Sequence, residues 1–453
     1  MPINRMLVAF IPCVVLLAGV AAAGETPALG STRITQAMVE GGNLSNAKMR
    51  REGRRVFTTP FNVLDGLGDG PSAAARPTLQ ANGMFLRVNG LDSQSCLECH
   101  SILSNATIPA RFAVGGAGGV STNAMAGPSQ IDVDDSDENG FAAFNGRFIN
   151  PPFVFGAGGV ELLAKEMTVE LQALRADAQG SPGQVVPLIT KGIDFGTIVF
   201  QSGEFDTSAV EGIAADLVVR PFGRKGEFAT VRAFDIGAMQ FHFGMQPAEI
   251  VGADVDEDGD GVANEILAGE LSVLHVFGVT LERPRQNRMN AEARAGAATF
   301  AGIGCVDCHV PELVTRSRTL DVSFPEIETD PGANVFASLD LSHAPAKFRR
   351  VSGGGLRVPL FADLKRHDMG AALAESTGGA LDAHFTTARL WGVADSAPYL
   401  HDGRASTMTE AILLHGGEAE AARTAFDGLS ESEQDAVLGF LKTLRTPRTV
   451  RGR

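Results

Sequence analysis

Behind Ser430-Glu431-Ser432-Glu433, the apolar residues Val437, Phe440, Leu441 and Leu444 recur at helical spacing. That spacing gathers them on one face, and the Ser-x-x-Glu start is a capping box, so a terminal amphipathic helix is predicted here. Thr407-Met408-Thr409-Glu410 opens onto Ala411-Ile412-Leu413-Leu414 in the same way and predicts a shorter helix before it. Gly196 to Phe200, carrying the β-branched Thr197, Ile198 and Val199, predicts a short strand. Gly115-Gly116-Ala117-Gly118-Gly119 and Gly353-Gly354-Gly355 interrupt any period and read as loops. Near the start, Leu7 to Val20 is apolar, follows Arg5 and ends in Ala21-Ala22-Ala23 before Gly24. This is the layout of a secretory signal (1–23) cleaved after Ala23. Its apolar core is shorter than the ~18 residues of a membrane span, and no later stretch reaches that length.

The chain has 453 residues and a formal charge of −15. Removing the signal takes away Arg5 and makes it one unit more negative. No Lys/Arg block is present, so nothing supports nucleic-acid binding; the acidity reads as solubility or as a docking face for a basic redox partner. Cys13 lies inside the signal and away from the cleavage point, so it is not a lipid-attached cysteine. The four remaining cysteines fall into two copies of one pattern, Cys96-Leu97-Glu98-Cys99-His100 and Cys305-Val306-Asp307-Cys308-His309. Cys-x-x-Cys-His is the attachment signature of a c-type haem: two thiols form thioethers and the adjacent histidine takes an axial position on iron. Two complete copies in an exported chain predict two covalent haems. They leave no thiol for a disulfide framework or for cysteine redox chemistry.

Similar segments precede the motifs: Gly53-Arg54-Arg55-Val56-Phe57 before the first, and Gly296-Ala297-Ala298-Thr299-Phe300 with Gly302 and Gly304 before the second. The expected architecture is therefore mainly α, with two cytochrome c-like haem units and a long, partly irregular insertion between them. The units divide as 24–285 and 286–453.

Ligand supply then separates the haems. Beyond the motifs the histidines are His242, His275, His343, His367, His384, His401 and His415. His415 follows the capped helix and precedes Gly416-Gly417, which suits it to a second axial position on haem II. His367-Asp368 and His401-Asp402 place an aspartate after a histidine, where it can orient an imidazole for catalysis or cap a turn. No histidine lies between His100 and His242, so haem I is either open or completed from a distance by His242, Met245 or an aromatic of the same segment. An open iron beside a saturated one predicts a catalytic haem and a relay haem. Its electron partner would be a small redox protein or a small molecule.

Phe361 to Gly370, Leu390-Trp391-Gly392, Pro398-Tyr399-Leu400-His401-Asp402-Gly403 and His415 to Ala419 together resemble the di-haem oxidoreductase family, also labelled thiol oxidoreductases. That family is related to the bacterial di-haem cytochrome c peroxidases. In those relatives a methionine after the His-Asp-Gly element completes the second haem, and His415 stands in its place, which implies bis-histidine ligation and a lower potential. The peroxidases also carry a displaceable histidine soon after the first motif. This chain does not, which leaves haem I similar to the open site of the di-haem rubber oxygenases.

Peroxide chemistry at such a site asks for an acid–base group near iron. Glu161, with Glu166 behind it, is the candidate, and a solvated helical glutamate is the alternative. His367 and His401 complete the catalytic candidates. Trp391 and Tyr399 suit either electron relay or core packing. A second metal is predicted by Asp254, Asp256, Asp258, Asp260 and Glu265, which follow calcium-loop spacing with glycine at the sixth position.

Overall fold

The computed structural model describes residues 26–68, 93–100, 102, 125–131, 144–377 and 380–448. The signal segment and the Gly115–Gly119 loop lie outside them. Ten α-helices are present among the described residues: α1 (Gln36–Glu40), α2 (Asn46–Thr58), α3 (Ala157–Gly180), α4 (Val231–Ala238), α5 (Ala248–Val251), α6 (Ala268–Val279), α7 (Ala291–Gly302), α8 (Met408–Leu413), α9 (Glu420–Asp427) and α10 (Glu431–Leu441). None is long and apolar enough to cross a membrane.

Two hydrophobic clusters organise these helices. In the larger, α6 is buried on almost every side, from Gly269 to Val279, as befits a helix apolar all round. Helices α1, α2, α3 and α4 pack around it. The α2–α6 contact is close because Gly53 has no side chain: a Cβ there would stand 1.8 Å from the Val273 carbonyl oxygen. The Phe57 and Phe277 rings meet beside it at 5.3 Å. The smaller cluster joins Phe300 of α7 to Phe361, Phe426 and the α10 residues Val437, Phe440 and Leu441. Gly296 repeats the device of Gly53, its missing Cβ lying 1.8 Å from the Ala436 carbonyl oxygen. Residues between Leu313 and Leu364, and Trp391, belong to the larger cluster.

Both predicted C-terminal helices form where their caps place them. In α8 the Thr407 hydroxyl accepts from Glu410 N at 3.1 Å, and in α10 Ser430 N donates to Glu433 Oε2 at 2.9 Å. The predicted strand lies within Ile193–Gln201, the middle strand of a three-stranded antiparallel sheet. Gly353-Gly354 forms the expected turn, both residues with positive φ. Strand content exceeds the mainly α expectation. Sixteen short strands are present among the described residues, in sheets of two or three. Helices supply both cores, while the glycine-rich connections satisfy their backbone groups by local antiparallel pairing.

Candidate functional site: two motif histidines and their surroundings

The two Cys-x-x-Cys-His segments fold alike. Cys96–Glu98 and Cys305–Asp307 are single 3-10 turns. Each is closed by a backbone bond from the histidine to the first cysteine, His100 N to Cys96 O at 2.8 Å and His309 N to Cys305 O at 3.0 Å. One turn thus gathers two sulfurs and an imidazole, the donor set that covalent haem attachment requires. Cys305 and Cys308 form no disulfide, and burial pushes the Cys305 thiol up to about 11. A thiol so raised is unsuited to thiolate redox chemistry.

Ring orientation supports ligation as well. His100 Nδ1 lies 2.8 Å from the Pro152 carbonyl, His309 Nδ1 3.1 Å from that of Phe361, and His415 Nδ1 2.8 Å from that of Ala411. A carbonyl only accepts, so each Nδ1 carries the proton and each Nε2 keeps its lone pair for a metal. Burial lowers the pKa of all three imidazoles; the charge of His415 adds to this at His309, which falls to about 4. Neutral imidazole is the form that ligates. The ring centroids of His309 and His415 are 6.5 Å apart, with the ring planes tilted by 55°. Two imidazoles sharing one metal through bonds of ~2 Å need a centroid separation of about this size.

Around His100 the arrangement differs. The Pro152 carbonyl that holds it belongs to a segment tied to the His401 loop: Asn150 N donates to His401 O, and Asn150 Nδ2 donates to the carbonyls of Pro398 and Leu400. The His401 ring stacks on Phe385 at 4.3 Å, with Lys225 Nζ over the Phe385 ring, and its Nε2 is 3.9 Å from both Glu375 and Asp402. Phe234 of α4 lies edge-on to His100 at 6.4 Å. A π-helical turn, Met239–Phe243, continues α4 and carries His242. Burial, then the charges of His100 and Arg224, lower His242 to about 3. Met245 is fully buried beyond it.

Glu161 is not a solvated helical residue. It is fully buried, and its oxygens accept from His275 Nε2 at 3.0 and 2.9 Å and from Val231 N at 2.9 Å, with Lys165 Nζ 3.1 Å away. Burial opposes its ionisation, but His275 and Lys165 outweigh that and hold the carboxylate down to about 2. An ionised carboxylate so engaged acts as an internal counter-ion rather than an acid aimed at His100. Its partner on α6 is 114 residues away, so no local pattern signals the pair. Glu166 faces elsewhere, accepting from Arg316 N, Ser317 N and Lys191. Trp391 is core, packed 6.3 Å from Phe348, and Tyr399 donates to the Val393 carbonyl.

The calcium-loop residues divide. Carboxylate oxygens of Asp256, Asp258 and Asp260 lie within 4.8 Å of one another. Asp254 instead pairs with Asn264, and Glu265 turns inward to accept from Gln246 N at 2.6 Å.

Two Cys-x-x-Cys-His turns thus stand on a largely helical scaffold, and the comparisons point to similarity with di-haem oxidoreductases. Residues 351–444 match the family described as "Di-haem oxidoreductase, putative peroxidase". The resemblance read from the sequence thus holds for this segment, and that family implies haem as cofactor. The chain is 31% identical over 157 residues to the cytochrome-c peroxidase IdrP2 of Pseudomonas sp. (strain SCT), covering 34% of this chain and 39% of the relative. It is 26% identical over 167 residues to the cytochrome-c peroxidase IdrP1 of Denitromonas iodatirespirans, covering 34% and 41%. The chain thus spans about two fifths of the length of these curated relatives. Among solved structures, the diheme peroxidase BthA from Burkholderia thailandensis aligns over 94% of this chain and 92% of its own at 12% identity, with a TM-score of 0.38. So low a score carries no argument about this chain.

Proposed function

We propose that this chain is an exported, periplasmic di-haem c-type oxidoreductase of peroxidase type. Cys96, Cys99 and His100 would hold haem I, and Cys305, Cys308 and His309 haem II, with His415 as the second axial ligand of haem II. The bound haems would supply the iron at which peroxide or dioxygen is reduced and through which electrons pass. The protein's own part is to fix the tautomer and direction of each imidazole, to keep it neutral by burial, and to divide the labour, haem II relaying electrons and haem I reacting. The observation that carries this reading is the 6.5 Å centroid separation of His309 and His415, each with Nδ1 on a backbone carbonyl. The electron partner would be a small redox protein or molecule. A calcium ion, if bound, would use Asp256, Asp258 and Asp260.

A second reading, a pure electron-transfer cytochrome with both irons saturated, would complete haem I with His242, which the π-helical turn after α4 carries and which burial lowers to about 3 and so keeps neutral. The ferric spectrum of the purified holoprotein separates the two. A high-spin fraction that binds cyanide or peroxide, and persists in His242→Ala, is expected for the enzyme. Two wholly low-spin haems that ignore both ligands would leave the electron-transfer reading.

A further inference from the structure

Three segments meet at His367. Its own strand, Arg366–Asp368, pairs with His384–Thr386. Nε2 lies 2.8 Å from Asp363 Oδ2, two residues past the Phe361 whose carbonyl accepts from His309. Nδ1 lies 2.6 Å from Glu418 Oε2, three residues past His415. The Cys308 sulfur, next to His309, is within 4.8 Å of the ligand atoms of Asp363 and His367. An ionised carboxylate only accepts, so both ring nitrogens carry protons and the ring is an imidazolium. Burial alone would lower it, but the hydrogen bonds it donates to Asp363, Cys308 and Glu418 hold it up to about 11.

Both carboxylates are themselves anchored. Asp363 Oδ1 accepts from Lys365 N at 3.0 Å and Thr387 Oγ1 at 2.7 Å; Glu418 Oε1 accepts from Asp368 N at 3.0 Å. The two backbones also touch, since a Cβ on Gly417 would stand 2.2 Å from the Asp368 carbonyl oxygen. Helix α8 orients the His415 ring through the Ala411 carbonyl. What remains to be set is the distance from that ring to His309.

We propose that His367 is a positioning residue whose imidazolium clamps the His415 segment to the His309 segment, holding both imidazoles at the spacing that lets them share one iron. It is not a catalytic residue in this role. Charge-assisted bonds to two carboxylates on separate segments are each roughly twice as strong as neutral ones, which suits a clamp. The proposal rests on the reading of His309 and His415 as joint ligands of haem II.

The test compares wild-type holoprotein with His367→Gln, Glu418→Gln and, as the ligand control, His415→Ala. Ferric spin state is read by electron paramagnetic resonance. Affinity for added imidazole is read alongside, because an external ligand binds in proportion to the fraction of molecules whose own ligand has detached. His415→Ala is expected to turn haem II high-spin. His367→Gln should add a smaller high-spin fraction and bind imidazole about tenfold more tightly than wild type, with Glu418→Gln following in the same direction. If both clamp variants keep wild-type spin state and imidazole affinity while His415→Ala turns high-spin, the clamp is wrong and the ligation stands. If His415→Ala leaves the spectrum unchanged, the ligation reading itself falls. Should His367→Gln fail to mature, Glu418→Gln decides alone, its side chain being 53% exposed and safe to change.

Discussion

The two motif histidines sit in turns of the same shape but in surroundings built differently. Around His309, the groups that matter come from one stretch of chain: Phe361, Asp363, His367, His415 and Glu418 lie within the last hundred or so residues, with the buried His367 bonded to Asp363 and to the more exposed Glu418. Around His100, the supporting groups come from far apart: Pro152, Phe234, His242 and the His401 loop, with the Glu161–His275–Lys165 ion pair buried in the core behind them. The surroundings of His309 come mostly from residues 361–418, whereas those of His100 form only once distant segments have packed.

The largest stability effect expected from that contrast is at the buried ion pair. Glu161→Gln should cost about 3 kcal/mol near neutral pH, because it removes the nearer of the two carboxylates beside Lys165 and the acceptor of His275, leaving Glu326 at 3.9 Å as the remaining counter-charge. The pH dependence has a definite sign. The pKa of Glu161 is depressed in the folded state, so its contribution is present above the unfolded carboxyl value, 4.5, and is lost as pH falls toward about 2. Acid unfolding followed by circular dichroism should therefore be steeper in that window for wild type than for the variant; equal profiles would remove Glu161 as an ionised counter-ion.

A smaller effect sharpens the comparison at the helix contacts. Gly53→Ala and Gly296→Ala each force a methyl against a carbonyl, at Val273 and Ala436 respectively, and should each cost about 1–3 kcal/mol by denaturant unfolding. If the two sides are separately built, Gly296→Ala perturbs the haem II spectrum and Gly53→Ala does not. The smallest effect belongs to the cap of α8. Thr407→Ala should cost about 1 kcal/mol and should loosen His415 before it touches anything around His100, as seen in thermal melts monitored at the haem absorption.

Legibility in the sequence follows the same division. The capped helices α8 and α10, both attachment turns and His415 were visible, because each is specified by neighbours within a few residues. The role of Glu161 was misread because its partners are set by packing: His275 lies on another helix, and an exposed and a buried glutamate have the same sequence signature. At the calcium-loop spacing the structure brings Asp256, Asp258 and Asp260 together, while Glu265 Oε2 accepts from the buried Gln246 N, a bond that no spacing rule signals. The mainly α expectation missed the strands for a related reason, as pairing in two- and three-stranded pieces leaves almost no periodic signal.

By itself, then, the amino-acid sequence determined the chemistry on offer: four cysteines in two turns, the histidine beside each, and the capped helix that ends in His415. Covalent spacing and helix capping are short-range, so they survive without any tertiary context. Only the tertiary structure decided which carbonyl fixes each ring and that His367 meets both Asp363 and Glu418. Those outcomes depend on segments far apart in sequence finding buried, mutually satisfying partners, and no local pattern encodes that.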